Sequence, residues 1–399
     1  MKCNLMAAVA VPALAIALVA SASAEDINIG VILGYTGPIE SLTPDMAESA
    51  ELALQEASDS GILLGGATLV SVRGDSTCID SAAATSAAER LITSDGVAAI
   101  MGADCSGVTT AIANNVAVPN GVVMVSPSAT SPALTTIEDN GYFFRTAPSD
   151  ARQGEVLASI LMDRGIMEVA VTYTSNDYGK GLADSFEGAF TEMGGSVSVA
   201  ASHEDGKADY SAEVAALAAT GSDYLAVFGY VDQGGKGIIQ TSIDTGAFEN
   251  FILADGMIGQ SLIDSIGSDL DGTIIGSLPG SDRPEADNFV ALAQEAGLTG
   301  DCPFCGESYD AAALIALAMQ AAGSADRAAI QSRIMDVAND PGEPIGPGEL
   351  AKGLQILADG GEVDYVGATG VELTDVGETF GSYKELEVQN GEFVTIQVR

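Results

Sequence analysis

The chain has 399 residues, a length that fits roughly two domains. Its 56 Asp and Glu against 15 Lys and Arg leave a formal net charge of -41, which repels nucleic acid and anionic membranes and sets those partners aside. Hydrophobic residues still make up 47% of the chain, so the acidity belongs to a folded protein rather than to a disordered tract.

In chain order, Met1-Lys2, an apolar stretch over residues 5–19 and the small residues Ala22-Ser23-Ala24 read as a signal peptide cut after Ala24, before Glu25. Cys3 precedes the apolar core, where it does not become the lipidated first residue of a mature chain. The stretch is too short to span a bilayer, and no later segment offers about 18 uninterrupted apolar residues, so no direct membrane insertion is expected. Residues 27–33 form an apolar run, followed by Gly34-Tyr35-Thr36-Gly37-Pro38 and an Ala/Leu/Glu pattern over 45–58: strand, loop, helix. The unit recurs as 68–72 before 81–93, as 97–101 before 107–118, and as 122–125 before the next turn. Strands and helices alternating at this spacing predict parallel sheets with right-handed crossovers.

Two strand ends in this first half carry hydroxyls. Ser106 stands before a helical pattern as a candidate N-cap, and Ser126-Pro127-Ser128-Ala129-Thr130-Ser131-Pro132 follows the next apolar run, with Pro132 suited to a helix start. Small hydroxyls and free N–H groups there suit a carboxylate-sized anion, although the same residues also serve as plain caps and turns. Ala147-Pro148-Ser149-Asp150 marks a first passage between domains. A second set of units then follows: 168–173 into a helix ending near Met193, 196–200 before 210–219, 224–228 before 234–242, and 251–254 ending at Asp255-Gly256. Ligands of open α/β sheets sit at the carboxyl ends of strands, where Tyr178, Tyr230 and Asp255 fall. Residues 272–278, ending at Pro279-Gly280, read as a return passage. Helices are expected over 284–296, 309–322, 327–338 and 349–358, and closing β structure over 380–398.

Removing the signal leaves four cysteines, which allow three pairings in an oxidising compartment. The expected one joins Cys78 to Cys105 and Cys302 to Cys305, because the first bond ties the loop after residues 68–72 to the turn at Ser106. Closing that loop is worth about 3 to 4 kcal/mol in the chain-entropy account. Cys302-Pro303-Phe304-Cys305 has the spacing of a redox motif, but no strand leads into it, and a turn stapled by its own disulfide is the simpler reading. The only histidine, His203, stands in the polar stretch His203-Glu204-Asp205-Gly206 and is expected to be solvated. No metal site and no cofactor are expected: a second histidine, a G-x-S-x-G elbow and a phosphate loop are all missing from the sequence, which also argues against an enzyme. Asp269-Leu270-Asp271-Gly272 lacks the rest of a calcium loop and reads as a turn.

Several blocks together carry a family likeness: Ile27-Asn28-Ile29-Gly30-Val31 with Gly37-Pro38 behind it, Cys78 and Cys105 flanking one helix, Val125-Ser126-Pro127-Ser128-Ala129-Thr130-Ser131-Pro132-Ala133-Leu134-Thr135, Asp177-Tyr178-Gly179-Lys180-Gly181, and Ser308-Tyr309-Asp310-Ala311-Ala312. In this order they resemble the leucine/isoleucine/valine-binding proteins, substrate-binding proteins of branched-chain amino acid ABC transporters with the type I periplasmic fold. The likeness covers essentially the whole mature chain. It implies two Rossmann-like α/β lobes joined by a three-strand hinge, residues 25–147 and 279–377 forming lobe 1 and residues 148–278 and 378–399 lobe 2. It also implies a periplasmic, monomeric protein that takes a small ligand, an amino acid, to an ABC transporter permease.

Carried over residue by residue, Ser106 and the backbone after it at Gly107 hold the α-carboxylate. Ser128, Ala129 and Thr130 share the carboxylate and ammonium, Tyr178 packs from the second lobe, Asp255 pairs with the ammonium beside Tyr230, and Leu42 meets the ligand side chain. The family often has Glu where Asp255 stands and an aromatic residue where Leu42 stands. Two other readings share the fold: a ligand sensor without transport, and a binder of amides, urea or aromatic acids.

Overall fold

The computed structural model describes residues 26–399, so the predicted signal peptide and its cleavage point lie outside the described residues. The first lobe opens with β1 (Asp26–Leu33), α1 (Thr43–Asp59), β2 (Thr68–Asp75), α2 (Ser81–Thr93), β3 (Ala99–Gly102), α3 (Ser106–Ile112), β4 (Met124–Ser126) and β5 (Phe143–Arg145). Its five strands are all parallel, in the order β2-β1-β3-β4-β5. β1 and β3 lie inside this sheet with helices on both faces, which is why they read as nearly continuous apolar runs.

The chain then crosses to α4 (Asp150–Asp163), β6 (Glu168–Thr174), α5 (Asp177–Glu192), β7 (Ser196–His203), α6 (Ser211–Ala218), β8 (Tyr224–Phe228), α7 (Gly234–Thr245), β9 (Asn250–Leu253), α8 (Gln260–Ile266) and β10 (Ile274–Pro279). It returns for α9 (Pro284–Glu295), α10 (Cys305–Ala322), α11 (Arg327–Gln331), α12 (Ile334–Ala338), β11 (Glu343–Ile345), α13 (Leu350–Ala358) and β12 (Val363–Tyr365), and ends in the hairpin β13 (Tyr383–Gln389) and β14 (Glu392–Val398). The second sheet runs β14-β13-β10-β9-β8-β6-β7, parallel from β10 to β7 and antiparallel at its β13-β14 edge. This is the two-lobed α/β architecture that the resemblance implies.

Three segments pass between the lobes and are bonded to one another. Thr379 Oγ1 donates to Thr146 O at 3.1 Å, the Gly280 N–H donates to Ser382 O at 3.0 Å, and Tyr383 Oη donates to Ser149 O at 3.2 Å. Other bonds cross the cleft itself. Asp232 accepts from the Ser41 N–H at 2.9 Å while its own N–H donates to Pro38 O at 2.9 Å, and Ser131 Oγ donates to Asp177 O at 3.0 Å. The lobes are therefore closed on each other.

Four expectations change. α10 begins at Cys305 rather than at residue 309: it is apolar nearly all round and buried between α1 and α13, so its first turn is packed as firmly as its middle. The helix expected over 327–338 breaks into α11 and α12 at Ser332-Arg333. The one expected over 107–118 keeps α-helical spacing only to Ile112, then widens into a π turn over Ala113–Ala117. His203 is buried rather than solvated, because it is the last residue of β7 and its ring turns inward. Its Nδ1 lies 2.9 Å from Thr172 Oγ1, and burial lowers its pKa to about 4.

Candidate functional site

Each strand that ends at the cleft delivers one part of the site. The two sheets change direction between β1 and β3 and between β8 and β6, the positions where an open α/β sheet leaves a crevice. From the first lobe come the loops after β1, β3 and β4, from the second those after β6, β8 and β9. Between them lies a cavity of about 30 Å³ lined by Ser106, Ser128, Asp104, Leu42, Ile39, Met46, Tyr178, Tyr230, Asp255, Gly256 and Phe304, with Cys105. Ser106, Ser128, Leu42, Tyr178, Tyr230 and Asp255 are thus brought together as the sequence predicts.

Gly107, Ala129 and Thr130 stand behind this lining. The Ala129 N–H donates to Ser126 Oγ at 3.0 Å and its carbonyl accepts from Arg145, so its backbone is already engaged. Gly107 is the second residue of α3, and open space surrounds the place a Cβ would take. Ser106 is not an N-cap. Cys105 holds that position, and the Ser106 hydroxyl instead accepts from the Ser131 N–H at 3.1 Å, coupling the two hydroxyl-bearing turns. Ser128 Oγ reinforces the coupling by donating to Asp104 O at 3.2 Å.

Beneath the turns, two buried groups hold the first lobe's loops. Asp104 accepts from Gly34 N at 2.6 Å, Ser76 Oγ at 3.1 Å and Cys105 N at 2.8 Å, gathering the loops after β1, β2 and β3. The disulfide between Cys78 and Cys105 joins two of the same loops. Arg145, 1% exposed, donates to Ala129 O and Ser131 O at 2.9 Å and to Thr135 Oγ1 at 2.9 Å, and forms an ion pair with Glu378.

In the second lobe Tyr178 and Tyr230 stack with ring centroids 5.3 Å apart. Tyr178 Oη donates to Asp255 Oδ1 at 2.6 Å, and the Gly256 N–H donates to the same carboxylate oxygen at 2.8 Å. Tyr230 Oη accepts from Asn176 Nδ2 at 3.2 Å. Gly256 has no room for a side chain of its own: a Cβ there would lie 2.6 Å from Gly229 O and 2.9 Å from Tyr178 Oη.

The electrostatics of the cleft centre on two carboxylates. Asp150, at the start of α4, is fully buried, and both its oxygens lack a hydrogen-bond partner among the described residues, as does the nearby Thr130 Oγ1. Burial, and secondarily the charge of Asp255, pushes the Asp150 carboxyl well above its ordinary range, against the lowering effect of the adjacent Thr130 hydroxyl and of the Arg145 charge. Burial likewise raises Asp255 to about 6, against the lowering effect of the Tyr178 hydrogen bond. Isolated buried charge costs several kcal/mol unless it is paired and hydrogen-bonded, so the negative field of the two acids favours a cation in the cavity that Asp255 lines.

Sequence reasoning missed Asp150, Asp104 and Phe304. Asp150 was visible only as a turn residue, and nothing in the sequence marks it as buried without a partner. Phe304 lies within the Cys-x-x-Cys stretch; the structure bonds Cys302 to Cys305 and turns the intervening ring into the cleft. Among the described residues no cluster of His, Cys, Asp and Glu is arranged to hold a metal ion, and no helix is long and apolar enough to cross a membrane.

A profile of the periplasmic binding proteins matches residues 26–352. The chain belongs to the periplasmic binding protein family. Among relatives of this periplasmic binding protein, Leu/Ile/Val-binding protein homolog 3 of Brucella melitensis is 28% identical over 353 residues, 86% of this chain and 90% of that one. The leucine binding protein of Thermotoga maritima superimposes with a TM-score of 0.76 at 25% identity, covering 93% of this chain and 98% of its own. The branched-chain amino acid substrate binding protein of Streptococcus pneumoniae, solved with isoleucine, superimposes at 0.75 and 21% identity, covering 94% and 99%, a likeness of fold. These relatives are named as binding proteins, not enzymes.

Proposed function

We propose that this periplasmic binding protein captures a free α-amino acid, branched-chain or similar, between its lobes and delivers it to the permease of an ABC transporter. The observation that carries the proposal is the cavity between the lobes in which the buried Asp255 carboxylate, one oxygen of which is held by Tyr178 and the Gly256 N–H, lies across from the Ser106 and Ser128 hydroxyls. A zwitterion leaves water without net loss only if both ends are met. Its ammonium has Asp255 to meet it, and the buried Asp150 beyond the lining adds to the negative field there. Its carboxylate has the Ser106 hydroxyl, which accepts from Ser131 and keeps its own proton to donate, and the Ser128 hydroxyl once that gives up its 3.2 Å bond to Asp104 O, with Gly107, Ala129 and Thr130 supporting the two turns from behind. Tyr178 and Tyr230 close one side, and Leu42 stands where the ligand side chain points.

Several further assignments belong to the same proposal: cleavage after Ala24, export to the periplasm, a monomeric mature protein, and lobe boundaries at residues 147/148, 278/279 and 377/378. Micromolar binding corresponds to about -8 kcal/mol, which burial between closing lobes is able to supply. The closed form then differs in shape from the open one, and a permease is able to read that difference.

A thermal-shift screen of the mature chain against amino acids, small amides and aromatic acids tests the reading, because a ligand that binds only the folded state raises the melting point by mass action. A rise with one or more α-amino acids is expected. A rise only with a carboxylic acid lacking nitrogen overturns it, since two acids would then face no cation.

A further inference from the structure

The hydroxyl-lined cavity does not stand alone. A second cavity of about 490 Å³ adjoins it, and the two share a wall, because Leu42 and Phe304 line both. The first, at about 30 Å³, has room for roughly one water molecule, whereas small-ligand sites usually span about 300–1,000 Å³. An amino acid gripped at its carboxylate and ammonium in the first cavity therefore has only one direction of ample volume for its side chain, across the Leu42–Phe304 wall.

Beyond the wall the surface is apolar with a charged end. Phe289, Ile258 and Leu386 form apolar sides, while Glu307, Lys384 and Asp301 supply charge. Lys384 is turned toward the exposed Asp301, its Nζ 3.7 Å from a carboxylate oxygen. Glu307 is 4% exposed, lines this chamber, and is bonded to no other side chain among the described residues. Burial pushes its carboxyl up to about 8, with Asp310 and Asp255 adding to the rise and Lys384 opposing it. A buried acid of this kind favours an N–H donor, and most of all a cation.

The wall itself is held by covalent structure. Phe304 has φ +60°, a left-handed conformation unusual for a bulky residue, and it lies between Cys302 and Cys305, which are bonded to each other. The short disulfide loop fixes where the ring stands.

We propose that this chamber is a side-chain subsite, and that the ligand is an α-amino acid whose long side chain ends in N–H donors (an ammonium, a guanidinium or a primary amide) received by Glu307 after passing Phe304. This rests on the amino-acid reading above and narrows it. A branched-chain side chain ends at the wall, while lysine, arginine or glutamine extends past it.

Isothermal calorimetry on the mature chain at pH 7 with leucine, lysine, arginine and glutamine tests the assignment, each titration run in two buffers of different ionisation enthalpy. At least one long ligand is expected to bind tenfold or more tighter than leucine, and lysine or arginine to release close to one proton as Glu307 ionises. Glu307→Gln, nearly isosteric and free of the buried acid, is expected to weaken the long cationic ligand at least tenfold and to leave leucine within about twofold. Phe304→Ala is expected to alter the ratio of long to short ligands with Glu307 intact. Leucine equal to or tighter than all three, or a Glu307→Gln variant that binds the long ligand unchanged, overturns the subsite while leaving amino-acid capture standing. Failure of all four ligands to bind overturns the subsite, and a thermal-shift screen in which no other α-amino acid raises the melting point overturns amino-acid capture as well.

Discussion

Asp255 is the residue on which ligand affinity turns. Its Oδ1 is occupied by Tyr178 and by the Gly256 N–H, so the remaining oxygen is the one left for an ammonium. Asp255→Ala is expected to weaken amino-acid binding by about 2 to 5 kcal/mol, measured by calorimetry, because the ligand's buried cation loses its partner. Near-unchanged affinity removes Asp255 from the site. The raised carboxyl adds a second expectation, with a definite sign. Between the closed lobes Asp255 holds a proton below about pH 6, and an ammonium binds the ionised form, so binding at lower pH must first expel that proton. Affinity should therefore fall as pH drops below 6, by roughly tenfold per unit until the carboxyl of the bound form also protonates. Asp150 shares the field, so the profile belongs to the pair rather than to one residue. A flat affinity between pH 7 and 5 contradicts this account of the cleft.

At the scale of elements, the loop after β4 depends on one buried arginine. Arg145, at the end of β5, donates to Ala129 O, Ser131 O and Thr135 Oγ1 and pairs with Glu378, so it holds the hydroxyl turn against the last passage between lobes. Arg145→Met keeps much of the volume and removes every one of these bonds. The expected loss is about 3 to 5 kcal/mol in urea unfolding, because the carbonyls and the Glu378 carboxylate lose their donor; a loss under about 1 kcal/mol removes Arg145 from this role. Much of this level was legible beforehand. Alternating apolar runs and amphipathic stretches place β6 and β8 and the cleft ends at Ser106, Ser128, Tyr178, Tyr230 and Asp255, since those residues follow strands directly. What was not legible depends on neighbours far away in sequence. Whether Asp150 is paired, whether His203 turns in or out at the end of β7, and where the Phe304 ring points are all decided by packing between segments more than a hundred residues apart or across a sheet. The first turn of α10 was missed for a related reason: its helix is apolar nearly all round, so no amphipathic stripe marks where it starts.

For the whole molecule the governing quantity is charge. With 56 acidic against 15 basic residues, most carboxylates have no basic partner, and pairs such as Lys180–Asp184 and Arg152–Glu155 lie on the surface, where each is worth little. The surplus keeps the protein soluble but pushes the compact state apart, because folding brings like charges nearer than the unfolded chain holds them. Salt acts on that repulsion directly. The screening length shrinks from about 30 Å at 0.01 M to about 3 Å at 1 M, so interactions between distant surface carboxylates vanish first, while the buried Arg145–Glu378 pair is screened much less. The melting temperature of the mature chain should therefore rise steadily with added sodium chloride over that range, and most steeply below 0.15 M. Sodium sulfate would add surface exclusion to screening, so chloride is the cleaner probe. A melting temperature that is flat or falls with chloride means that the acidic surface is already balanced by geometry, and that its excess charge has no hold on stability. A rise, by contrast, ties the composition to a saline exterior, where the same screening is present without being added.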